Sequence, residues 1–410
     1  MEREGKIIMK LPVKELFDIP EGLIYLDGNS LGPLPKGVAE VVQNTVVEQW
    51  GGQLIKGWNT CQWMEQPVRV GNQVAKLIGA PDGSVVMGDT LSIKVFQALA
   101  AGLAMKPERK IILSDNGNFP SDLYMAEGLV DLKAHSCKAN EGYELKIVAP
   151  EEVADCLDET IAVVMLTEVD YRSGRRHAMN SITNAAHAAG AIMIWDLAHS
   201  AGAVDVDIAA SSCEFAVGCT YKYLNGGPGA PAFIYVRPDL AASAKPALSG
   251  WLGHRAPFAF EQSYSPAIDI ERMRVGTPPV IQLAALEEAL KVWDSVTVAE
   301  VRAASIVLSE LFIKEVENSC AALTLISPRD SAVRGSQVSF AYEHGYAAMQ
   351  ALIDRGVIGD FRAPDVMRFG FTPLYIDESD VRAAVEVLAD ILQNDLWDSP
   401  QYQQSGNRVT

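Results

Sequence analysis

The chain has 410 residues, 49% of them apolar and 21% charged, the balance of an ordinary folded protein long enough for two domains. Its net charge is −18, with 52 acidic against 34 basic residues, which argues against a nucleic-acid partner because phosphate backbones are gripped by clustered Lys and Arg. No window approaches the roughly 20 uncharged apolar residues that a membrane span needs, so no membrane partner is expected.

The run MEREGKIIMK is charged from its second residue and has no apolar stretch of signal-peptide length. Helical spacing of apolar residues begins at Val38 and continues to about Leu54, after a Gly- and Pro-rich turn at Leu31–Pro35. A second helix is predicted over Pro67–Ile78, closed by Gly79 as its cap. A short β-prone run, Ser84–Met87, meets Gly88-Asp89-Thr90, and a helix is expected over Ser92–Ala104.

The middle of the chain alternates strands and helices. Strands are expected at Lys110–Ser114, Ile161–Leu166, Ala191–Trp195, Phe215–Cys219 and Ala232–Val236, with a helix at Ile182–Ala189. Apolar strands separated by helices imply a mostly parallel sheet covered on both faces. After Pro278-Pro279 a helix over Val280–Trp293 leads into a smaller α+β part. Strands are expected there near Leu323–Ile326, Gln337–Tyr342 and Val366–Phe371, with helices at Tyr346–Arg355 and Ser379–Gln393. From about Asp398 the sequence turns polar, as a frayed end does. Six cysteines (Cys61, Cys137, Cys156, Cys213, Cys219 and Cys320) stand at irregular intervals with no C-x-x-C pair. Free thiols in a reducing, cytoplasmic compartment are the expectation.

The richest segment is Trp195–Gly229. Asp196 follows a buried strand, so its carboxylate emerges at the strand's C-terminal edge, where open α/β sheets bind ligands. His199 comes three residues later, and the strand Phe215–Cys219 runs into Thr220-Tyr221-Lys222-Tyr223 and then Gly226-Gly227-Pro228-Gly229. A pyridoxal-phosphate site needs a lysine that can lose its proton and condense with the aldehyde, here Lys222. It needs a carboxylate facing the pyridine nitrogen, here Asp196. It also needs an anion cradle at a helix N-terminus, here the turn Gly88–Ser92.

Each residue also has a plainer reading. An isolated lysine is usually solvated, although Lys222 lies between two tyrosines and ahead of a Gly-rich turn. Asp196 could merely cap the next helix, Arg368 could pair with any nearby acid, and Trp251 could be core. Gly226–Gly229 lacks the G-K-[ST] ending of a nucleotide loop. His199 is read as a hydrogen-bonding neighbour rather than a metal ligand, because no second His or Cys stands at ligand spacing, and no metal is expected.

Asp196-Leu-Ala-His199 followed by Thr220-Tyr221-Lys222-Tyr223 resembles the kynureninases, within the fold-type I class of pyridoxal-phosphate enzymes. The resemblance extends over most of the chain, through Tyr25-Leu-Asp-Gly28-Asn29-Ser30-Leu31-Gly32, Trp50-Gly51, Trp58-Asn59 and Phe119-Pro120-Ser121-Asp122. It continues in Gly250-Trp251-Leu-Gly253-His254, Thr277-Pro278-Pro279 and Arg368-Phe-Gly-Phe-Thr372-Pro373-Leu374-Tyr375. The Phe-Pro-Ser-Asp and Gly-Trp-x-Gly-His blocks together narrow it to that family. The implied fold is a large domain, residues 51–280, with a mostly parallel seven-stranded sheet between helices. A smaller α+β domain covers 281–397, an N-terminal segment 1–50 packs with it, and 398–410 form a disordered tail.

The resemblance implies hydrolysis of the Cβ–Cγ bond of L-kynurenine, or of its 3-hydroxy form, to anthranilate (or 3-hydroxyanthranilate) and alanine, with pyridoxal 5′-phosphate as cofactor. Lys222, Tyr221 and Asp196 would be catalytic. Leu91, Ser92, Phe119, Asp122, Thr167, His199, Trp251 and Thr277 would contact the cofactor, the last two across a homodimer interface. Arg368 would grip the substrate carboxylate through its bidentate fork, with Asn29, Ser30, Trp58 and His254 also on the substrate side. Two departures stand out: Lys94, where an Asn is frequent, and Thr277, where animal-type relatives carry Asn. The latter points to plain kynurenine over the hydroxylated form. The rivals are a cysteine desulfurase or aminotransferase on the same fold and a non-catalytic scaffold. A desulfurase needs a mobile late cysteine, and Cys320 is the one late candidate.

Overall fold

The computed structural model describes residues 11, 13–134 and 142–403. A seven-stranded sheet dominates. Its strands lie in the order Val85–Met87, Phe233–Val236, Phe215–Gly218, Ile192–Asp196, Ile161–Thr167, Ile111–Asp115 and Glu144–Val148. All run parallel to their neighbours except Phe233–Val236, which is antiparallel to both of its own. The central strand Ile161–Thr167 is buried at every position, which is why it reads as an unbroken apolar run rather than an alternation. Helices cover both faces. Leu91–Met105 packs on one, where Val95, Leu99 and Leu103 meet Ile112, Met165 and Ile194. Gln66–Leu77 packs on the other, where Val70 and Val74 join Leu113, Val164 and Trp195.

A second, four-stranded antiparallel sheet has the order Thr324–Leu325, Gln337–Ala341, Val366–Gly370, Asp360–Arg362. Helices Val298–Ser319, Gly345–Asp354 and Glu378–Gln393 pack with it around Phe312, Phe340, Phe369 and Phe371. The amino-terminal segment joins this half of the molecule, since Ile24–Tyr25 pairs in parallel with Val357–Ile358. Among the described residues no helix is long and apolar enough to cross a membrane.

Several elements differ from the sequence expectation. The helix starting at Val38 is α-helical to Asn44 and then widens into π-helical turns over Thr45–Gly51. Asp196 is the last residue of its strand rather than the first beyond it. The strand near Leu323–Ile326 shrinks to two residues. Helix Pro120–Ala134 and edge strand Glu144–Val148 were not anticipated. The strand is half exposed and carries Glu144 and Lys146, so its apolar pattern is weak. The helix Val298–Ser319 does carry a legible start, because Thr297 and Glu300 form a capping box. At the far end, the Tyr402 hydroxyl donates to Asp354 at 2.9 Å, so the chain is still docked there. Residues 404–410 of the expected tail lie outside the described residues.

Phe312 is 1% exposed and its ring lies 4.9 to 6.1 Å from those of Phe369, Phe371 and Phe340. Phe312→Ala should therefore destabilise the small-sheet half by about 3–5 kcal/mol, measured by urea unfolding.

Candidate active site

Strands Ile111–Asp115, Ile161–Thr167, Ile192–Asp196 and Phe215–Gly218 are mutually parallel, so their last residues lie along one edge of the sheet. Val85–Met87 points the same way, because two successive antiparallel pairings restore its direction. The chain therefore brings Gly88–Ser92, Phe119–Asp122, Thr167, Asp196 and Tyr221–Lys222 to a single rim, the usual ligand crevice of such sheets.

Lys222 sits on a pinned loop. The Gly226 N–H donates to the Thr220 carbonyl and the Thr220 hydroxyl to the Pro231 carbonyl, each at 2.8 Å. The Lys222 ammonium donates to His199 Nε2 at 2.8 Å and stands 5.8 Å from the ring centres of both Phe119 and Tyr221. Burial, and then the Lys222 charge, hold the His199 imidazole neutral, far below the usual range. Its Nε2 accepts from Lys222, so Nδ1 is the nitrogen left to carry a hydrogen. That atom is buried and unpartnered.

Two buried carboxylates complete the group. Burial pushes Asp196 up to about 6, against the pull of Lys222, the Ala198 N–H at 2.9 Å and the Thr167 hydroxyl. Thr167 and Asp196 are direct partners across adjacent strands. No helix starts directly after Asp196, so the helix-capping reading fails, and the Ala198 N–H bond to its Oδ1 closes a turn instead. Asp122 is raised well above the usual carboxylate range, by burial and then by repulsion from Asp196, and its Oδ2 has no partner.

The turn entering helix Leu91–Met105 is built for close approach. Gly88 has φ +149° and Asp89 φ +57°, and the cap residue Thr90 lends no side-chain hydrogen bond to the helix. The first N–H groups, including those of Leu91 and Ser92, face outward without a capping side chain.

Arg368 reaches the same crevice from the smaller sheet. It is 1% exposed, and its fork engages both oxygens of Asp360, directly opposite it across the strands, with Nε to Oδ1 at 2.5 Å. Its Nη1 donates to the Tyr171 carbonyl at 2.5 Å and its Nη2 to the Ser30 hydroxyl at 3.1 Å. Ser30 in turn donates to Asp360 at 2.8 Å, and Arg362 adds a second guanidinium 2.6 Å from Asp360. Asn29 lies beside Ser30 with its whole side-chain amide buried and unpartnered.

Sequence reasoning missed Asp360, Arg362, Asp27 and Tyr171 as members of this cluster. Tyr171 also packs edge-on against Phe119, at 5.0 Å between ring centres. The one available signal was the hairpin Asp360-Phe-Arg362 to Met367-Arg368, which sets the acid across from the base. Trp58, Trp251, His254 and Thr277 have their contacts elsewhere. Trp58 packs on Trp63, Trp251 on Phe258 and His254 on Tyr264. Thr277 borders an apolar hollow of about 470 Å³ shared with Trp50, Leu54, Ile55 and Trp58. The glycines flanking Trp251 answer to packing, since a Cβ on Gly250 would fall 2.1 Å from the Val275 carbonyl.

Unpartnered buried polar atoms on His199 and Asp122, an amine among aromatic faces and an open helix N-terminus fit a polar, planar, phosphorylated ligand that reacts with an amine. The fold matches a cysteine desulfurase from Thermococcus onnurineus NA1 with a TM-score of 0.78 at 17% identity, over 94% of this chain and 99% of that one. The cysteine desulfurase CsdA of Escherichia coli matches with a TM-score of 0.77 at 17% identity, over 93% and 98%. A C-DES variant with glycine covalently linked to its PLP cofactor matches with 0.77 at 16% identity, over 92% and 99%. The fold is the fold-type I architecture that these structures share.

The chain is 48% identical to a kynureninase of Pseudomonas fluorescens, over 96% of its own length and 94% of that protein's. It is 46% identical to one from Burkholderia pseudomallei, over 95% and 94%. The family model for the kynureninase C-terminal domain matches residues 301–388. The chain belongs to the kynureninase family.

Asp27, buried beside this cluster, is raised from 3.8 to about 7 by burial and then by the Asp360 charge. Between those values the folded protein keeps a proton that the unfolded chain has released, so stability falls as pH rises from about 4 to about 7. Asp27→Asn imitates the protonated acid. Thermal melts should show it equal to wild type at about pH 4 and more stable at about pH 8.

Proposed function

We propose that this enzyme hydrolyses L-kynurenine to anthranilate and L-alanine. The observation that carries the reading is the near full-length relation to kynureninases in a chain that keeps Lys222, Asp196 and Arg368 at one crevice. Lys222 would hold pyridoxal phosphate, Asp196 would face its ring nitrogen and Phe119 its ring. Leu91 and Ser92 would face the phosphate, with Asp122, Thr167, His199 and Tyr221 around the ring. When bound, the cofactor supplies an electron sink for the charge left on the substrate carbons.

The protein groups manage protons and position. Lys222, released as an amine, removes the α-proton and later returns one. Its neighbour His199 is held neutral and so does not compete as an acid. Burial favours the uncharged Asp196, so its ionised form gains most from a protonated ring nitrogen beside it. Water adds to the aryl ketone carbon of the substrate, and the Cβ–Cγ bond breaks to release anthranilate. The Cβ of the remaining three-carbon unit then takes a proton. Tyr221 suits that task, because the adjacent Cys219 and burial keep its phenol protonated. Arg368, Asn29 and Ser30 would receive the α-carboxylate. The expected bidentate grip is not available, because Asp360 occupies the fork; Arg368 offers instead the one N–H of Nη1 left beyond its bonds to Asp360, Tyr171 and Ser30.

The desulfurase alternative lacks support from cysteine chemistry. Cys320 is 2% exposed at the end of helix Val298–Ser319, and burial pushes its thiol up, away from the nucleophilic thiolate. A homodimer is favoured by the exposed apolar side chains of Trp50, Leu54 and Ile55 around the hollow that Thr277 borders. In that assembly Trp251, Thr277, Trp58 and His254 would complete the site of the partner, and Thr277 would favour kynurenine over its 3-hydroxy form. Two separate sheets support a large cofactor-binding domain up to about residue 280 and a smaller domain beyond it. The five described cysteines are free thiols, in keeping with a cytoplasmic location.

Incubation with pyridoxal phosphate and L-kynurenine should produce the blue fluorescence of anthranilate, and Lys222→Ala should produce none. Bound cofactor without anthranilate from the intact enzyme would refute the assigned reaction. Tyr221→Phe should bind cofactor normally yet lose about 10²–10⁴ in kcat. Undiminished turnover would remove Tyr221 from the role of acid.

A further inference from the structure

Lys94 is wholly enclosed, at 0% exposure, four residues beyond the cap of the helix whose N-terminus faces the crevice. A lysine so placed must be matched by partners, and every N–H of its ammonium is used. It donates to Asp89 Oδ2 at 3.1 Å, to Gln97 Oε1 at 3.0 Å and to the Met273 carbonyl at 3.1 Å. Gln97 donates to the same Met273 carbonyl at 3.2 Å. Burial draws the Lys94 pKa down, Asp89 holds it up and Arg274 opposes it. The ammonium lies directly under the turn, since a Cβ added to Gly88 would come within 3.9 Å of it.

Asp89 is the unfavourable element. It belongs to the turn itself, in a left-handed conformation, and its carboxylate is about one-third exposed at the place where an anion would enter. Left alone, it would repel a phosphate dianion that the outward N–H groups attract. We propose that Lys94 is a positioning residue for the cofactor phosphate: it draws the Asp89 carboxylate back against the helix and cancels its charge, so that the turn presents N–H groups rather than a negative field. This inference rests on the pyridoxal-phosphate reading of the site. The salt bridge is thus a correction to the cradle, and its two members have opposite effects on the anion.

That opposition is measurable in cofactor-stripped enzyme titrated with pyridoxal phosphate and, in parallel, with pyridoxal, which lacks the phosphate. Lys94→Met, of similar length without charge, should raise the dissociation constant for pyridoxal phosphate on the order of tenfold. It should leave pyridoxal binding unchanged. Asp89→Asn should tighten pyridoxal phosphate severalfold, and the double variant should return to within about twofold of wild type. Equal weakening of both ligands by Lys94→Met would mark a purely structural tie and overturn the proposal. So would a double variant as weak as Lys94→Met. Melting curves of the stripped variants identify a folding defect, and in that case Asp89→Asn decides alone: it must tighten the phosphorylated ligand and not pyridoxal. Wild-type protein that takes up no cofactor would sink the cofactor reading and this inference together. Wild-type binding with unresponsive variants would sink the inference only.

Discussion

One half-buried lysine amine must be accommodated among buried carboxylates and beside a buried imidazole. Lys222 meets this constraint with a single 2.8 Å bond to His199 and with Asp196 and Asp122 nearby, both pushed toward their neutral forms by burial. Enclosure removes the water that would otherwise level their charges, and the same enclosure makes each protonation state depend on its neighbours.

The two halves of the molecule supply complementary parts. The large sheet delivers the amine, the strand-end carboxylate of Asp196 and the helix N-terminus, because six of its seven strands point one way. The small sheet delivers Arg368 with its buried partner Asp360. Contact between the halves includes the Arg368 bond to the Tyr171 carbonyl, the Ser336 hydroxyl bond to the Ala203 carbonyl and the Gly335 N–H bond to the Gly174 carbonyl. A shift of the small sheet would therefore move Arg368 relative to Lys222, and the bond from Arg368 to Ser30 ties its position to the amino-terminal segment.

Charge is balanced locally rather than globally. The chain carries −18 overall, yet the crevice gathers Lys222, Arg368 and Arg362 against Asp196, Asp122, Asp27 and Asp360, with burial raising the pKa of the first three acids. The Lys94–Asp89 pair extends the same logic to the rim.

What the sequence determined by itself was periodicity and local chemistry. The runs around Ile161, Ile192 and Phe215 read as buried strands because they are short, unbroken and apolar between helical stretches, and Lys222 and Asp196 followed at their ends. Motif resemblance then identified the family. The half-exposed edge strand Glu144–Val148, the π-helical turns at Thr45–Gly51 and the partners of Arg368 were not legible. Edge strands carry mixed patterns, helix widening depends on packing, and Asp360 meets Arg368 only when the hairpin registers the two residues opposite each other. Only the tertiary structure decided which charges are buried together, because desolvation and Coulomb energy depend on distance through space, which spacing along the chain does not fix.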